Sequence, residues 1–261
     1  YMAMDFINGV DLAWVLDDYV KDRALMPHKE ILHIVSKVGR ALDYSHRNGV
    51  IHRDIKPSNI MLDRTGEPIL TDFGLVMITS EETQGDVFGS PHYIAPEQAI
   101  SSAGTVPQSD LYALGIMVYQ MLVGEPPFTE GTAMQIAMSH MTTPMPDPQR
   151  LNPALSKAFN PFLEQALAKD PENRYQSGAE MVDALKAAMQ QANAKKKGGK
   201  PSTQSKQGKA RMSNDSLRQK VEKFQVEHPV TTEIRTTAPP TSIMQREGGS
   251  GGGSTRTLLV A

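Results

Sequence analysis

Three side chains with hard oxygen donors stand in a suggestive order: Asp54, Asn59 five residues later, and Asp72. Between the last two, short apolar runs at 60–62 and 68–71 are split by Asp63-Arg64-Thr65-Gly66, a pattern that predicts a small β-hairpin. A hairpin returns the chain to its start, so Asn59 just before it and Asp72 just after it can converge. Carboxylate and amide oxygens of this kind suit Mg2+, with its remaining positions filled by other oxygens and water. Lys56 adds a cation two residues from the Asp54 carboxylate. Each residue taken singly is equally at home as a loop Asp or Asn capping a turn.

The elements that must hold these residues are mainly helical. Pro27 opens a segment in which Ile31, Leu32, Ile34, Val35, Val38, Ala41, Leu42 and Tyr44 recur at helical spacing, and Asn48-Gly49 closes it. Ser109 begins a second helix, almost wholly apolar from Leu111 to Val123 and ended by Gly124 and Pro126-Pro127. A helix apolar on most faces belongs in the middle of a core. Ser177 and Glu180 have capping-box spacing for a last helix running to about Gln190.

The 261 residues suffice for one large domain, and 39% hydrophobic against 21% charged residues marks a globular chain. The absence of cysteine excludes a disulfide scaffold and any thiolate metal site, and fits a reducing compartment. No run of about 18 apolar residues occurs to span a membrane. The net charge of −2 hides an asymmetry. Residues 191–261 hold 13 basic and 5 acidic residues, and residues 1–190 hold 14 and 24. An acidic domain followed by a basic tail is expected. The tail is Lys/Gly/Ser/Gln-rich from Lys195 to Ala210 and reads Gly-Gly-Ser-Gly-Gly-Gly-Ser at 248–254, so it is expected to be mostly disordered. Within it, 215–226 can form a short amphipathic helix through Leu217, Val221 and Phe224, for which no partner surface is evident.

The ordered set His52-Arg53-Asp54, Asn59, Asp72-Phe73-Gly74 and Ala95-Pro96-Glu97 resembles the motif series of protein kinases, with Ile55 where Leu is usual. The likeness covers residues 1 to about 190 and is nearest to the eukaryotic-like (Hanks-type) serine/threonine kinases of bacteria. It implies a mainly α, kinase-like large lobe with a small hairpin at the catalytic loop. The activity it implies is transfer of the γ-phosphate of ATP to protein Ser or Thr hydroxyls. Asp54 then accepts or orients the acceptor proton, Lys56 adds positive charge near the phosphoryl group, and Asn59 and Asp72 hold Mg2+, with Mn2+ as the alternative ion. Lys56 followed by Pro57 resembles the serine/threonine class rather than the tyrosine class.

The same resemblance assigns supporting residues. His52 is a scaffold. Asp110 holds the catalytic-loop backbone. Glu97 and Arg174 form a buried ion pair behind the activation segment. Ser90 shapes the acceptor site, and Thr79, Ser80 and Thr83 are regulatory hydroxyls whose phosphates would pair with Arg53. Tyr1 to Gly9 resembles the last small-lobe strand running into the hinge. Met4 is then the gatekeeper, the Asp5 carbonyl and Ile7 amide meet the adenine edge, Asp11 reaches ribose and Met61 floors the adenine. Met4 and Met61 read equally well as core methionines.

The expected organisation is 1–10 hinge remnant, 11–190 large lobe and 191–261 tail. The Gly-rich phosphate loop and the strand Lys of the family would precede the hinge, and the sequence opens at Tyr1. The expectation is therefore a fragment without its small lobe, inactive by itself and cytoplasmic. Its partners would be protein substrates, and a homodimer of the longer parent. Any membrane anchor would lie beyond Ala261. The other reading is a non-catalytic scaffold, which has no chemical need for Asp54, Asn59 and Asp72. Specific nucleic-acid binding is not expected, since the tail has no aromatic interleaving.

Overall fold

In the computed structural model, which describes residues 6–73, 91–197 and 215–228, the chain enters through a short strand, β1 (Gly9–Asp11). Its last residue caps α1 (Leu12–Lys21), the Asp11 carboxylate accepting the Trp14 N–H at 2.8 Å. After Pro27, α2 (His28–Arg47) buries Ile31, Ile34, Val35, Val38 and Leu42, and it ends at Asn48 with Gly49 at φ 75°. The hairpin follows as β2 (Ile60–Asp63) and β3 (Pro68–Leu70). Asp63 shapes its turn, its Oδ1 accepting the amides of Thr65 and Glu67 at 2.8 and 2.9 Å.

The remaining elements are helices: α3 (Pro96–Ile100), α4 (Pro107–Val123), α5 (Ala133–Thr142), α6 (Pro148–Leu151), α7 (Asn160–Ala166), α8 (Gly178–Lys197) and α9 (Asp215–Glu227). Every residue of α4 from Ser109 to Val123 except Gln120 is buried, as its all-round apolar sequence requires. These elements lie in one compact unit spanning Tyr1–His228; residues 229–261 are a second unit, outside the described residues.

The strongest helix crossing is α2 against α8. Gly39 and Gly178 let the backbones touch: a Cβ on Gly178 would lie 2.3 Å from the Gly39 carbonyl oxygen. Asp43 seals the contact by accepting the Gly178 and Ala179 N–H groups at 2.7 and 2.9 Å, at the positive end of α8. Gly178→Ala is therefore expected to destabilise the domain by about 1–3 kcal/mol, the usual range for overpacking. Thermal unfolding checks it; an unchanged midpoint would show that the crossing can open without penalty.

The mainly helical architecture with a small hairpin agrees with the sequence reading, and three details correct it. The hairpin is part of a three-stranded antiparallel sheet of order β1-β2-β3, because Gly9–Asp11 pairs with β2. The last helix continues past Gln190 to Lys197. The segment 215–227 does have a partner surface: Leu217 and Val221 are fully buried against the domain. Within 191–261, residues 191–197 continue α8, and Asp215–Glu227 form the short helix that the sequence allows there. Among the described residues no helix is long and apolar enough to cross a membrane.

Candidate active site

The segment between α2 and β2 carries His52, Arg53 and Asp54, and it is held from inside the core by Asp110 in the first turn of α4. Asp110 is 1% exposed. Its Oδ1 accepts the Arg53 N–H at 2.8 Å, and its Oδ2 accepts the His52 N–H at 2.9 Å and the His46 ring Nε2 at 2.7 Å. These bonds constrain a costly conformation. Arg53 has φ 72°, in the left-handed region that non-glycine residues adopt only when their surroundings hold them there. Its carbonyl is fixed as well, accepting Nε2 of Gln98 in α3 at 3.0 Å.

His52 is fully buried. Its Nε2 lies 2.8 Å from the Thr71 carbonyl and its Nδ1 3.3 Å from the Asp54 N–H. That pattern places the proton on Nε2, leaving Nδ1 as the acceptor. The ring also packs on Phe73, with centroids 4.7 Å apart. One imidazole thus ties the start of the loop to the chain leaving β3.

Asp54, Lys56 and Asn59 form one cluster. The Asp54 Oδ2 pairs with Lys56 Nζ at 2.7 Å and accepts Asn59 Nδ2 at 2.9 Å; the same amide donates to the Asp54 carbonyl at 2.8 Å. The hairpin then brings the chain back, as its sequence implies. The Thr71 N–H donates to the Asn59 carbonyl at 3.0 Å, and Thr71 Oγ1 lies 3.3 Å from Asp72 Oδ2. Asp72 is the second left-handed residue here, at φ 60°. Asn59 and Asp72 are thus adjacent across the base of the hairpin, and their oxygens are chemically suited to a hard divalent cation. No group of three or more His, Asp or Glu that could cage a metal occurs among the described residues, so substrate and solvent oxygens would complete such a site.

Behind this cluster, Glu97 of α3 and Arg174 form a bidentate pair, both N···O distances being 2.7 Å. The Arg174 side chain is fully buried, and it also donates to the carbonyls of Ala168, Gln108 and Lys169. Its guanidinium lies 4.7 Å from the Tyr112 ring centroid. Burial alone would raise the Glu97 pKa; the Arg174 hydrogen bonds, the Ser109 hydroxyl and the Arg174 charge outweigh it and hold the carboxyl below its usual range.

On the other side of the loop, the β1–β2 register sets Asp11 opposite Met61, and Met61 faces Ile69 of β3. This face of the sheet is open: all three residues are partly or largely exposed, whereas the alternate Val10, Ile60 and Leu62 are buried. Met61 is therefore not a buried core methionine. Asp11 spends one carboxylate oxygen on the α1 cap. Ile7 is half-buried just ahead of β1. Met4, Asp5, Thr79, Ser80, Thr83 and Ser90 lie outside the described residues.

Four contributors escaped the sequence reading: His46, Gln98, Ser109 and Thr71. His46 lies in the last turn of α2, six residues before His52, and Gln98 follows Glu97 directly, so proximity to the motifs was the only available signal. Nothing in their own neighbourhoods shows that they bond to Asp110 and to the Arg53 carbonyl.

The mainly helical fold with its small three-stranded sheet is that of a kinase-like large lobe, and the comparisons with known proteins agree. Residues 1–190 match the family described as "Protein kinase domain". The chain is similar to the probable serine/threonine-protein kinase PknB of Lactococcus lactis, 37% identical over 185 residues, or 70% of this chain and 29% of that protein. It is 35% identical over 191 residues to the serine/threonine-protein kinase PrkC of Bacillus subtilis, covering 72% and 29% of the two chains. Against the serine/threonine-protein kinase PknB of Mycobacterium tuberculosis it is 37% identical over 186 residues, covering 69% and 29%. The chain belongs to the protein kinase domain family, and its relatives are bacterial serine/threonine kinases. It spans a little under a third of the length of these relatives.

Proposed function

We propose that this chain is the hinge and large lobe of an ATP-dependent serine/threonine protein kinase, acting on protein hydroxyls. The observation that carries the reading is the Asp54–Lys56–Asn59 cluster beside Asp72, on a loop bolted to the core by Asp110. In this reading the acceptor hydroxyl sits against Asp54, whose carboxylate orients it and takes its proton as the new P–O bond to the γ-phosphorus forms, the β–γ P–O bond of ATP breaks and ADP leaves with that bond's electron pair. The Lys56 ammonium, already 2.7 Å from that carboxylate, faces the negative charge of the transferred group. Asn59 and Asp72 would hold a divalent ion, Mg2+ or Mn2+, which when bound would supply neutralisation of phosphate charge. Asn59 has a second task, since its amide fixes the Asp54 carboxylate. The open sheet face with Asp11 and Met61 supports a ribose and adenine platform continuing from Ile7, Asp5 and Met4.

Loop control through Thr79, Ser80 and Thr83 belongs to the same proposal, with Arg53 as the cation that meets their phosphates and Ser90 beside the acceptor. So do a cytoplasmic location and protein substrates. Homodimerisation of a longer parent and anchoring by segments beyond Ala261 are also part of it.

The sequence contains no Gly-rich loop followed by a strand Lys. One face of a nucleotide site cannot preorganise transfer by itself. We expect the 261-residue chain alone to be catalytically silent, with ATP affinity in the millimolar range or weaker, whereas the chain carrying a kinase small lobe fused ahead of Tyr1 should label protein Ser and Thr from γ-labelled ATP. Calorimetry on the first and phosphate incorporation with and without a chelator on the second provide the test. Micromolar ATP binding by the chain alone would contradict the fragment reading. A fused form that binds ATP yet labels nothing would leave the non-catalytic scaffold as the better account.

A further inference from the structure

α9 is joined to α8 by 17 residues and returns to the domain at one place, the edge formed by β1, β2 and the outer face of α1. Its apolar stripe is short but fully used. Leu217 and Val221 are 0% exposed, and the Leu217 Cβ lies so close to the hairpin that a Cβ on Gly66 would sit 3.1 Å from it. Phe224 stands edge-on against Trp14 of α1, with centroids 5.1 Å apart.

Charge complementarity makes this docking specific. Asp18 of α1 is 2% exposed, and both its carboxylate oxygens are taken by α9: Lys220 Nζ bonds Oδ2 and Lys223 Nζ bonds Oδ1. Lys220 also donates to Asp22 at 2.8 Å and lies 4.5 Å from the Tyr19 ring centroid. Burial pushes the Asp18 pKa up, but the two ammonium groups win and hold it below its usual range. A carboxylate this buried is costly unless paired, and its partners come from α9.

The contacts then reach a functional edge. Gln225 Nε2 donates to Asn8 Oδ1 at 2.8 Å, next to Ile7 and immediately before β1. Trp14, the partner of Phe224, supplies the N–H that the Asp11 cap accepts. α9 therefore grips the chain within the stretch Ile7–Asp11, at Asn8, and just beyond it, at Trp14.

We propose that α9 is a tethered latch that positions the hinge strand: while its lysines are docked on Asp18, Phe224 and Gln225 hold Trp14 and Asn8, and with them Ile7 and Asp11. This rests on the kinase reading only for what that strand binds, namely the adenine and ribose of a nucleotide. Because α9 belongs to the same chain, docking is unimolecular and can be undone without separating the parts. A ligand that captured the basic face of α9 would thereby loosen the nucleotide edge from outside the pocket. Phe224, Gln225, Lys220 and Lys223 are positioning residues in this scheme.

The test is amide hydrogen exchange on the full 261-residue chain without nucleotide. Lys220→Glu with Lys223→Glu should undock α9 and speed exchange across residues 8–15 at least tenfold, while α4 and α8 keep their rates. Adding Asp18→Lys to that pair should restore most of the protection. A second variant, Phe224→Ala with Gln225→Ala, leaves the lysine pairs and should loosen the same stretch. Faster exchange in α9 with unchanged rates at 8–15 overturns the proposal, and so does an unchanged profile in both variants. Because no nucleotide is present, these results judge the latch alone, and the labelling experiment judges the catalytic reading alone.

Discussion

Asp54→Asn, in the chain carrying a fused small lobe, is expected to lower the rate of phosphate transfer by about 10²–10⁴-fold, the span that a positioned general base contributes. The shape of the site survives this change. The amide keeps an acceptor oxygen for Asn59 Nδ2 and nearly the same volume, so the bonds from Asn59 at 2.8 and 2.9 Å have a near-isosteric partner. What disappears is the negative charge that anchors Lys56 at 2.7 Å and that, in the proposed reading, takes the hydroxyl proton. The Asp54 side chain is 18% exposed, so loss of the ion pair should cost about 1 kcal/mol or less in stability. The signature is therefore a collapse of kcat with a nearly unchanged melting temperature and little change in KM for ATP. Wild-type incorporation in the variant would remove Asp54 from the reaction.

The second large effect is structural. Arg174→Ala should destabilise the domain by about 3–5 kcal/mol, the cost of stripping one partner from a buried ion pair. Three carbonyls lose a donor at the same time, those of Ala168, Gln108 and Lys169. For a domain of this size that corresponds to a fall of roughly 6–20 °C in melting temperature. The pH dependence follows from Glu97, whose folded-state pKa is depressed below the ordinary value of 4.5. A depressed carboxylate contributes stability that is present above its unfolded pKa and is lost as pH falls through the folded pKa. The wild type should therefore lose this increment below about pH 4.5, whereas the variant, with a Glu97 that protonates readily, should show a smaller deficit at pH 4 than at pH 7. Thermal melts at the two pH values check both the size and the sign; an equal deficit at both would remove Glu97 from the account.

How much of this was legible in sequence depended on distance along the chain. Asn59, the hairpin and Asp72 fall within fourteen residues, and local turn chemistry was enough to bring them together. The buried character of α4 was equally plain, since an apolar run ended by Gly124 has one natural place in a core, although the helix begins at Pro107 rather than at Ser109. The β1–β2 pairing was not legible, because a three-residue strand carries too few side chains to show an alternation and its partner lies about fifty residues on. α9 shows the same limit more strongly. Its stripe of Leu217, Val221 and Phe224 was visible, but the acid that receives its lysines lies 202 positions earlier, inside a helix whose own pattern gave no reason to single out Asp18. Burying a charge is only sensible once its partner is known, and helical periodicity describes one helix at a time.

The α2–α8 crossing has a consequence for how the protein is made. Asp43 and the amide it caps at Gly178 are separated by 135 residues, and the Gly39 backbone waits for the same arrival. At about 5–20 residues per second, a ribosome needs roughly 7–27 s to bridge that interval. For that time the nascent chain already holds the loop with Asp54 and the hairpin, yet the helix beneath them has an open groove where α8 belongs. The half that carries Asp54, Asn59 and Asp72 is thus translated long before the piece that closes the core. A chaperone has its window on this protein during that interval, and a pause in translation ahead of Gly178 should lengthen the exposure, whereas a pause after the whole of α8 has left the ribosome should not.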